Sequence, residues 1–115
     1  MANNTSTEII DRLIDLSVDI INYCKNSGLP RSVVDQVTRS STSIGANFTE
    51  AQDASSRKDF VNKIFIAKKE AAETRYWLQI IARLSPNDAQ IRDFADRTQK
   101  FVMMLQKIIN SSKAK

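Results

Sequence analysis

Apolar residues recur every three or four positions along most of the chain, the spacing of helices that bury one face. The pattern is clearest near the C-terminus, where one stripe contains Ile91, Phe94, Thr98, Phe101, Val102, Leu105, Ile108 and Ile109. The spacing predicts four helices, over about residues 6–26, 31–52, 57–83 and 87–110. Short connections between helices of this length force neighbours to run antiparallel, so we expect an all-α, up-down-up-down four-helix bundle.

Capping signals mark the helix ends. Thr5 and Glu8 have the spacing of a capping box, and Ser56 and Asp59 repeat it before the third helix. Gly28 suits the left-handed position that follows the end of a helix. These signals predict where the first helix begins and ends and where the third begins.

Two prolines are expected in the first turns of helices. Pro30 precedes the second helix, and Pro86 is predicted to take the first position of the fourth, with Ser85 as its cap. Asp88 adds a negative charge at the positive end of that helix. The tail from Ser111 onward is expected to be frayed.

The third helix is apolar on more than one side. Its main face contains Phe60, Ile64, Ala67, Ala71, Leu78, Ile81 and Ala82; other sides carry Val61, Phe65, Ala72 and Tyr76, and Ile66, Trp77 and Ile80. The first helix extends its apolar face through Ile10, Ile14, Val18 and Ile21. Four helices of a monomer cannot cover so much apolar surface, which predicts self-association. The alternative is that the extra residues are scattered surface positions.

A polar stripe runs along the second helix, nearly opposite the face formed by Val34, Val37, Ser41, Ile44, Phe48 and Ala51. The stripe consists of Gln36, Arg39, Ser43, Asn47 and Glu50. Arg39 is expected to meet a carboxylate of a neighbouring helix or subunit, with Glu50, Glu70 and Glu73 as candidates. Gly45 in mid-helix indicates close packing. Two other interpretations remain open, a solvated face and a surface that contacts nucleic acid.

Composition supports one all-α domain over residues 1–115. The 115 residues include only two glycines and two prolines. The net charge of +4 comes from 17 basic and 13 acidic residues that are interspersed along the chain. This balance permits contact with nucleic acid without requiring it.

Several functional classes are disfavoured. A single cysteine, Cys24, excludes an intramolecular disulfide and fits the cytoplasm, and no apolar run is long enough for a membrane span. A dimetal site built from Glu50, Glu70 and Glu73 would also need Glu-x-x-His motifs, and the chain has no histidine. Cys24 has no base partner, so a buried structural thiol is expected. We therefore expect no enzymatic activity, no cofactor, no metal and no small-molecule substrate.

Two segments resemble a known family. The first is RSSTSIGAN at residues 39–47 with Glu50-Ala51, and the second combines Ser56 and KDF at 58–60 with KEA at 69–71, Glu73-Thr74 and YWL at 76–78. They are similar to motifs of the bacterial four-helix bundle family that includes proteins encoded within intervening sequences of large-subunit ribosomal RNA genes. The resemblance covers nearly the whole chain.

The resemblance implies a four-helix bundle that assembles into a homopentameric ring. A related branch serves as the accessory protein of diversity-generating retroelements, which binds a reverse transcriptase and nucleic acid. No catalytic residue is established for the family. By resemblance, Arg39, Asn47, Glu50, Glu70 and Glu73 are structural or interface residues.

The leading hypothesis is a noncatalytic oligomeric scaffold that binds RNA or an RNA-associated protein. Its candidate contacts are basic residues of the third helix that do not all share one face, namely Arg57, Lys58, Lys63, Lys68, Lys69 and Arg75. The alternative is an accessory module that binds a polymerase-like protein without touching nucleic acid.

Overall fold

The computed structural model describes residues 5–113 of the chain. This part contains four helices and no strand: α1 (Ser6–Lys25), α2 (Arg31–Gln52), α3 (Arg57–Leu84) and α4 (Ala89–Lys113). Their packing is compatible with a four-helix bundle. None of the four is both long enough and apolar enough to cross a membrane.

The predicted caps of α1 and α3 are confirmed. Thr5 and Glu8 form a reciprocal capping box, with the Glu8 amide 3.2 Å from Thr5 Oγ1 and the Thr5 amide 2.9 Å from Glu8 Oε1. The Asp59 amide donates to Ser56 Oγ at 3.0 Å. Gly28 adopts the left-handed conformation, with φ of 73°. Each contact satisfies a backbone group that the helix end leaves without a partner or lets the chain turn there.

The predicted start of α4 is wrong by two residues. Asn87 takes a left-handed conformation, with φ of 66°, which its short polar side chain tolerates, so the turn extends beyond Pro86. Asp88, rather than Ser85, then caps the helix, because its Oδ1 accepts a hydrogen bond from the Gln90 amide at 2.9 Å. At its other end α4 continues to Lys113.

The prediction that the chain frays from Ser111 is therefore wrong for Ser111 to Lys113, which are helical. The last two residues of the chain lie outside the described part. Ser112 Oγ donates to the Ile108 carbonyl at 2.9 Å within this last turn. α2 begins at Arg31 as predicted, with Pro30 at the cap position rather than within the first turn. The Pro30 carbonyl accepts hydrogen bonds from the amides of Val33 and Val34.

All four helices contribute to one core, in which α3 packs against α2 and α4, and α1 packs mainly on α2. The larger fully buried side chains are Leu13, Leu16, Ile20, Val37, Ile44, Ile64, Leu78, Ile81, Ile91 and Leu105. Gly45 faces α1, where an added β-carbon would lie 3.4 Å from Leu13 Cβ, an ordinary contact distance, so the packing there is close but does not strictly require glycine. Among the predicted core-face positions, Ala82 is exposed, and Val34, Phe60, Val102 and Ile108 are only partly buried. On α2, Val33 is buried instead of Val34.

A polar contact is buried where α2 meets α3. Ser40 and Thr74 are both fully buried, and Thr74 Oγ1 donates to Ser40 Oγ at 2.8 Å. The Ser40 hydroxyl donates in turn to the Val37 carbonyl of its own helix at 3.4 Å. No buried side-chain nitrogen or oxygen of residues 5–113 lacks a hydrogen-bond partner. The core therefore contains hydroxyl groups without the cost of an unsatisfied donor.

Part of the extra apolar surface of α1 and α3 remains exposed. Ile14 and Val18 on α1 and Phe65 and Tyr76 on α3 are each about half exposed. Trp77, by contrast, is partly buried and packs against the core. Self-association thus remains a prediction, now confined to a smaller set of side chains.

Replacing Leu78 by aspartate should unfold the bundle, because an unpaired carboxylate would enter the core. Leu78 is 1% exposed, whereas the adjacent Gln79 is exposed. Circular dichroism should show loss of the cooperative thermal transition in Leu78→Asp and its retention in the control Gln79→Asp. A folded Leu78→Asp variant would contradict this assignment of the core.

Candidate functional site

The polar stripe of α2 borders the seam between α2 and α3. Arg39 Nη1 donates to Glu70 Oε1 at 3.2 Å, and Nη2 donates to Glu73 Oε2. Arg39 Nε also donates to Gln36 Oε1 at 3.4 Å. The guanidinium therefore joins two turns of α3 to α2 within one chain.

Trp77 extends this cluster by donating from Nε1 to Glu73 Oε2 at 3.1 Å. The hydrogen bond from Arg39, followed by that from Trp77, lowers the pKa of the Glu73 carboxyl, and the contact raises the pKa of Arg39. The Arg39 side chain is nevertheless 46% exposed. We name Arg39, Glu70, Glu73 and Trp77 the α2–α3 clamp, a half-exposed cross-link between helices.

Glu50 does not join the clamp. It pairs instead with Lys63 on α3, with Lys63 Nζ 3.1 Å from Glu50 Oε1, because Glu50 lies three turns beyond Arg39 on α2. Asn47 Nδ2 donates to the Ser43 carbonyl of its own helix at 2.9 Å. The stripe thus continues along the seam as separate local contacts.

Three glutamates along the α2–α3 seam are engaged by cations. Glu70 and Glu73 face Arg39, and Glu50 faces Lys63. No group of three or more potential metal ligands is present among residues 5–113. The only cysteine, Cys24, is buried, which raises the pKa of its thiol and keeps it protonated.

The six basic residues predicted to contact nucleic acid do not lie together on one surface. Arg57, Lys58 and Lys68 line one groove between α3 and α4. Lys63 is paired on the α2 side of the helix, and Arg75 donates to Gln99 of α4. Lys69 is exposed outside the groove.

The α3–α4 groove has a volume of about 1070 Å³. Its basic residues are Arg57, Lys58, Lys68 and Lys113, and Asp59 is its one acidic residue. Sequence reasoning missed Lys113 because the tail was expected to be frayed, whereas the last turn of α4 carries this lysine to the groove. Arg57 Nη1 also donates to the Ser112 carbonyl at 3.5 Å, which ties the start of α3 to the end of α4.

Phe65 gives the groove an aromatic surface. Its side chain is 47% exposed, and Lys68 Nζ lies 5.9 Å from the centre of its ring. The carboxylate of Asp59, the acidic residue of the groove, accepts a hydrogen bond from the Ser55 amide at 3.1 Å. In such a groove, the cations can bind phosphates while a base stacks on the accessible aromatic ring.

The chain is similar to known proteins over most of its length. A profile described as 23S rRNA-intervening sequence protein matches residues 5–107. A crystal structure of a protein of unknown function from the S23 ribosomal protein family, from Bacteroides thetaiotaomicron VPI-5482, aligns with a TM-score of 0.81 and 37% identity. The alignment covers 88% of this chain and 97% of that one. A search of the curated proteins found no match.

Arg39→Ala should lower the free energy of unfolding at neutral pH by about 1 kcal/mol, because two half-exposed ion pairs are lost. Glu73 has an ordinary pKa near 4.5 that is lowered in the folded protein, so its contribution is present above that pH. The contribution disappears as the pH falls through the lowered value. Urea unfolding should therefore show a difference between wild type and Arg39→Ala that shrinks below about pH 4.5.

Arg31→Ala is the matched control. Arg31 pairs with Asp35 one turn away in α2, and its side chain is 90% exposed, so its removal should change stability little. Equal effects of the two substitutions at all pH values would show that the clamp adds nothing to an ordinary surface pair.

Proposed function

Because the chain belongs to the 23S rRNA-intervening sequence protein family, we propose that it is a noncatalytic, homo-oligomeric scaffold that binds RNA through the α3–α4 groove. The observation that carries this proposal is the groove itself, which is lined by four basic side chains and by the half-exposed ring of Phe65. The RNA is single-stranded, since a base must be free of its partner to stack on that ring.

The groove supplies both parts of such binding. Lys58 and Lys113 are exposed, so their ammonium groups are free to approach phosphates. Lys68 Nζ lies over the Phe65 ring, where it can neutralise the phosphate of a nucleotide whose base stacks on the exposed part of that ring. Stacking and charge contacts tolerate any base, so this mode of binding has little sequence specificity.

Assembly is supported by the exposed apolar side chains. Tyr76 on α3 is 57% exposed, and Ile14 and Val18 on α1 lie one turn apart on the surface. Burial of such side chains between subunits is favourable by roughly 25 cal/mol per Å² of apolar area. We propose a homopentameric ring, the state that the family resemblance suggests, in which repeated copies of the groove raise the affinity for a long RNA.

Reversing two charges in the groove should weaken RNA binding by about tenfold or more. The double variant Lys58→Glu, Lys68→Glu is compared with Lys25→Glu, Lys69→Glu, which changes the net charge equally outside the groove. Fluorescence anisotropy with a labelled oligoadenylate of about 20 nucleotides measures the affinity. Wild-type binding should also weaken steeply between about 50 and 200 mM salt.

Two results would contradict the RNA proposal. One is no binding at about 50 mM salt, or binding that salt leaves unchanged. The other is an equal loss in both double variants, which would reflect the net charge of the protein rather than the groove.

Light scattering should give a particle mass of about five times the 13.0 kDa of one chain. Tyr76→Glu should lower this mass while leaving the helical circular dichroism unchanged, because the exposed ring contributes to assembly and not to the core. Gln79→Glu, on the same helix, is the control and should keep the mass of the wild type. A monomeric wild type would refute the assembly.

A further inference from the structure

The seam between α1 and α4 is the most open of those between consecutive neighbours around the bundle. Polar contacts join the two helices at one end of this seam. Arg97 Nη1 donates to Asp19 Oδ2 at 2.9 Å, and the Tyr23 hydroxyl donates to Asp88 Oδ2 at 2.8 Å. Toward the other end, the two helices leave a groove of about 590 Å³, which we name the α1–α4 groove.

The α1–α4 groove combines apolar and basic side chains. Phe101, Met103 and Met104 supply the apolar part, and Lys100 and Lys107 supply positive charge. Arg12 and Arg97 also line the groove, but both already have partners. Asp15 is the one carboxylate of the lining. Met103 is 58% exposed, although methionine is an apolar residue.

The α4 side of the groove has a helical repeat. Lys100, Met103, Met104 and Lys107 stand at positions i, i+3, i+4 and i+7, so they share one face over two turns, about 10 Å of helix. Neither lysine makes an ion pair or a hydrogen bond with any residue between 5 and 113. The face therefore presents one lysine at each end, with the apolar side chains of the two methionines between them.

We infer that the α1–α4 groove is a docking site for an acidic amphipathic helix of another protein. A helix with an apolar stripe covers Met103 and Met104, and carboxylates about two turns apart on its flanks meet Lys100 and Lys107. Methionine side chains are flexible, so they adapt to differently shaped apolar partners.

The same chemistry makes RNA a poor occupant of this groove. Its aromatic ring, Phe101, is 8% exposed and offers no face for stacking, unlike Phe65 in the α3–α4 groove. The thioethers of Met103 and Met104 would gain little from contact with phosphates. The two grooves share no residue, so this inference does not depend on RNA binding.

The test uses a labelled synthetic helix of about 18 residues with leucines at every third or fourth position and glutamates on both flanks. Its control has lysine in place of every glutamate. Fluorescence anisotropy should show saturable binding of the acidic peptide, weakened about tenfold or more by Lys100→Glu, Lys107→Glu. Met103→Asp should weaken it as well, because the apolar centre is then lost.

The double variant Lys25→Glu, Lys69→Glu carries the same change in net charge away from the groove and should bind the acidic peptide as the wild type does. The Lys100→Glu, Lys107→Glu variant should also keep the RNA affinity of the wild type, which separates this test from that of the α3–α4 groove.

Four results would overturn the inference. They are no saturable binding below about 1 mM peptide, equal weakening in both double variants, and equal affinity for the lysine peptide. The fourth is a fall in the light-scattering mass of the Lys100→Glu, Lys107→Glu variant, because the groove would then be filled by a second copy of this chain.

Discussion

Burial of one face of α3 between α2 and α4 is the interaction on which the rest of this structure depends. Ile64 and Leu78 are almost completely enclosed, and α3 is the longest helix, with 28 residues. Its rotation about its own axis decides which side chains reach α2, which reach α4 and which face solvent. The clamp, the α3–α4 groove and the exposed Tyr76 all follow from that rotation.

The seams of the bundle differ in how their polar residues are used. At α2–α3 the polar groups satisfy one another, through Arg39 and two carboxylates at the surface and through Ser40 and Thr74 inside. At the α3–α4 and α1–α4 grooves, lysines remain next to accessible apolar surface. Paired charges serve cohesion, whereas unpaired lysines beside apolar groups are suited to external partners.

The two grooves are suited to different partners although both are basic. Phe65 presents a half-exposed ring beside Lys68, which suits a stacked base. Met103 and Met104 present a flexible aliphatic surface between Lys100 and Lys107, which suits a helix with an apolar stripe. The two proposals together describe a protein that holds an RNA in one groove and a helix of another protein in the other.

The sequence by itself determined the four helices and most of their caps, because these depend on hydrogen bonds within a few residues, such as those of Thr5 and Ser56. It failed at the start of α4, where Asn87 adopts a left-handed conformation that local propensity permits but does not require. Only the tertiary structure decided that Arg39 meets Glu70 and Glu73, and that Lys113 lines the α3–α4 groove. Those contacts depend on how each helix is rotated and staggered against its neighbours, and packing over the whole bundle sets that geometry.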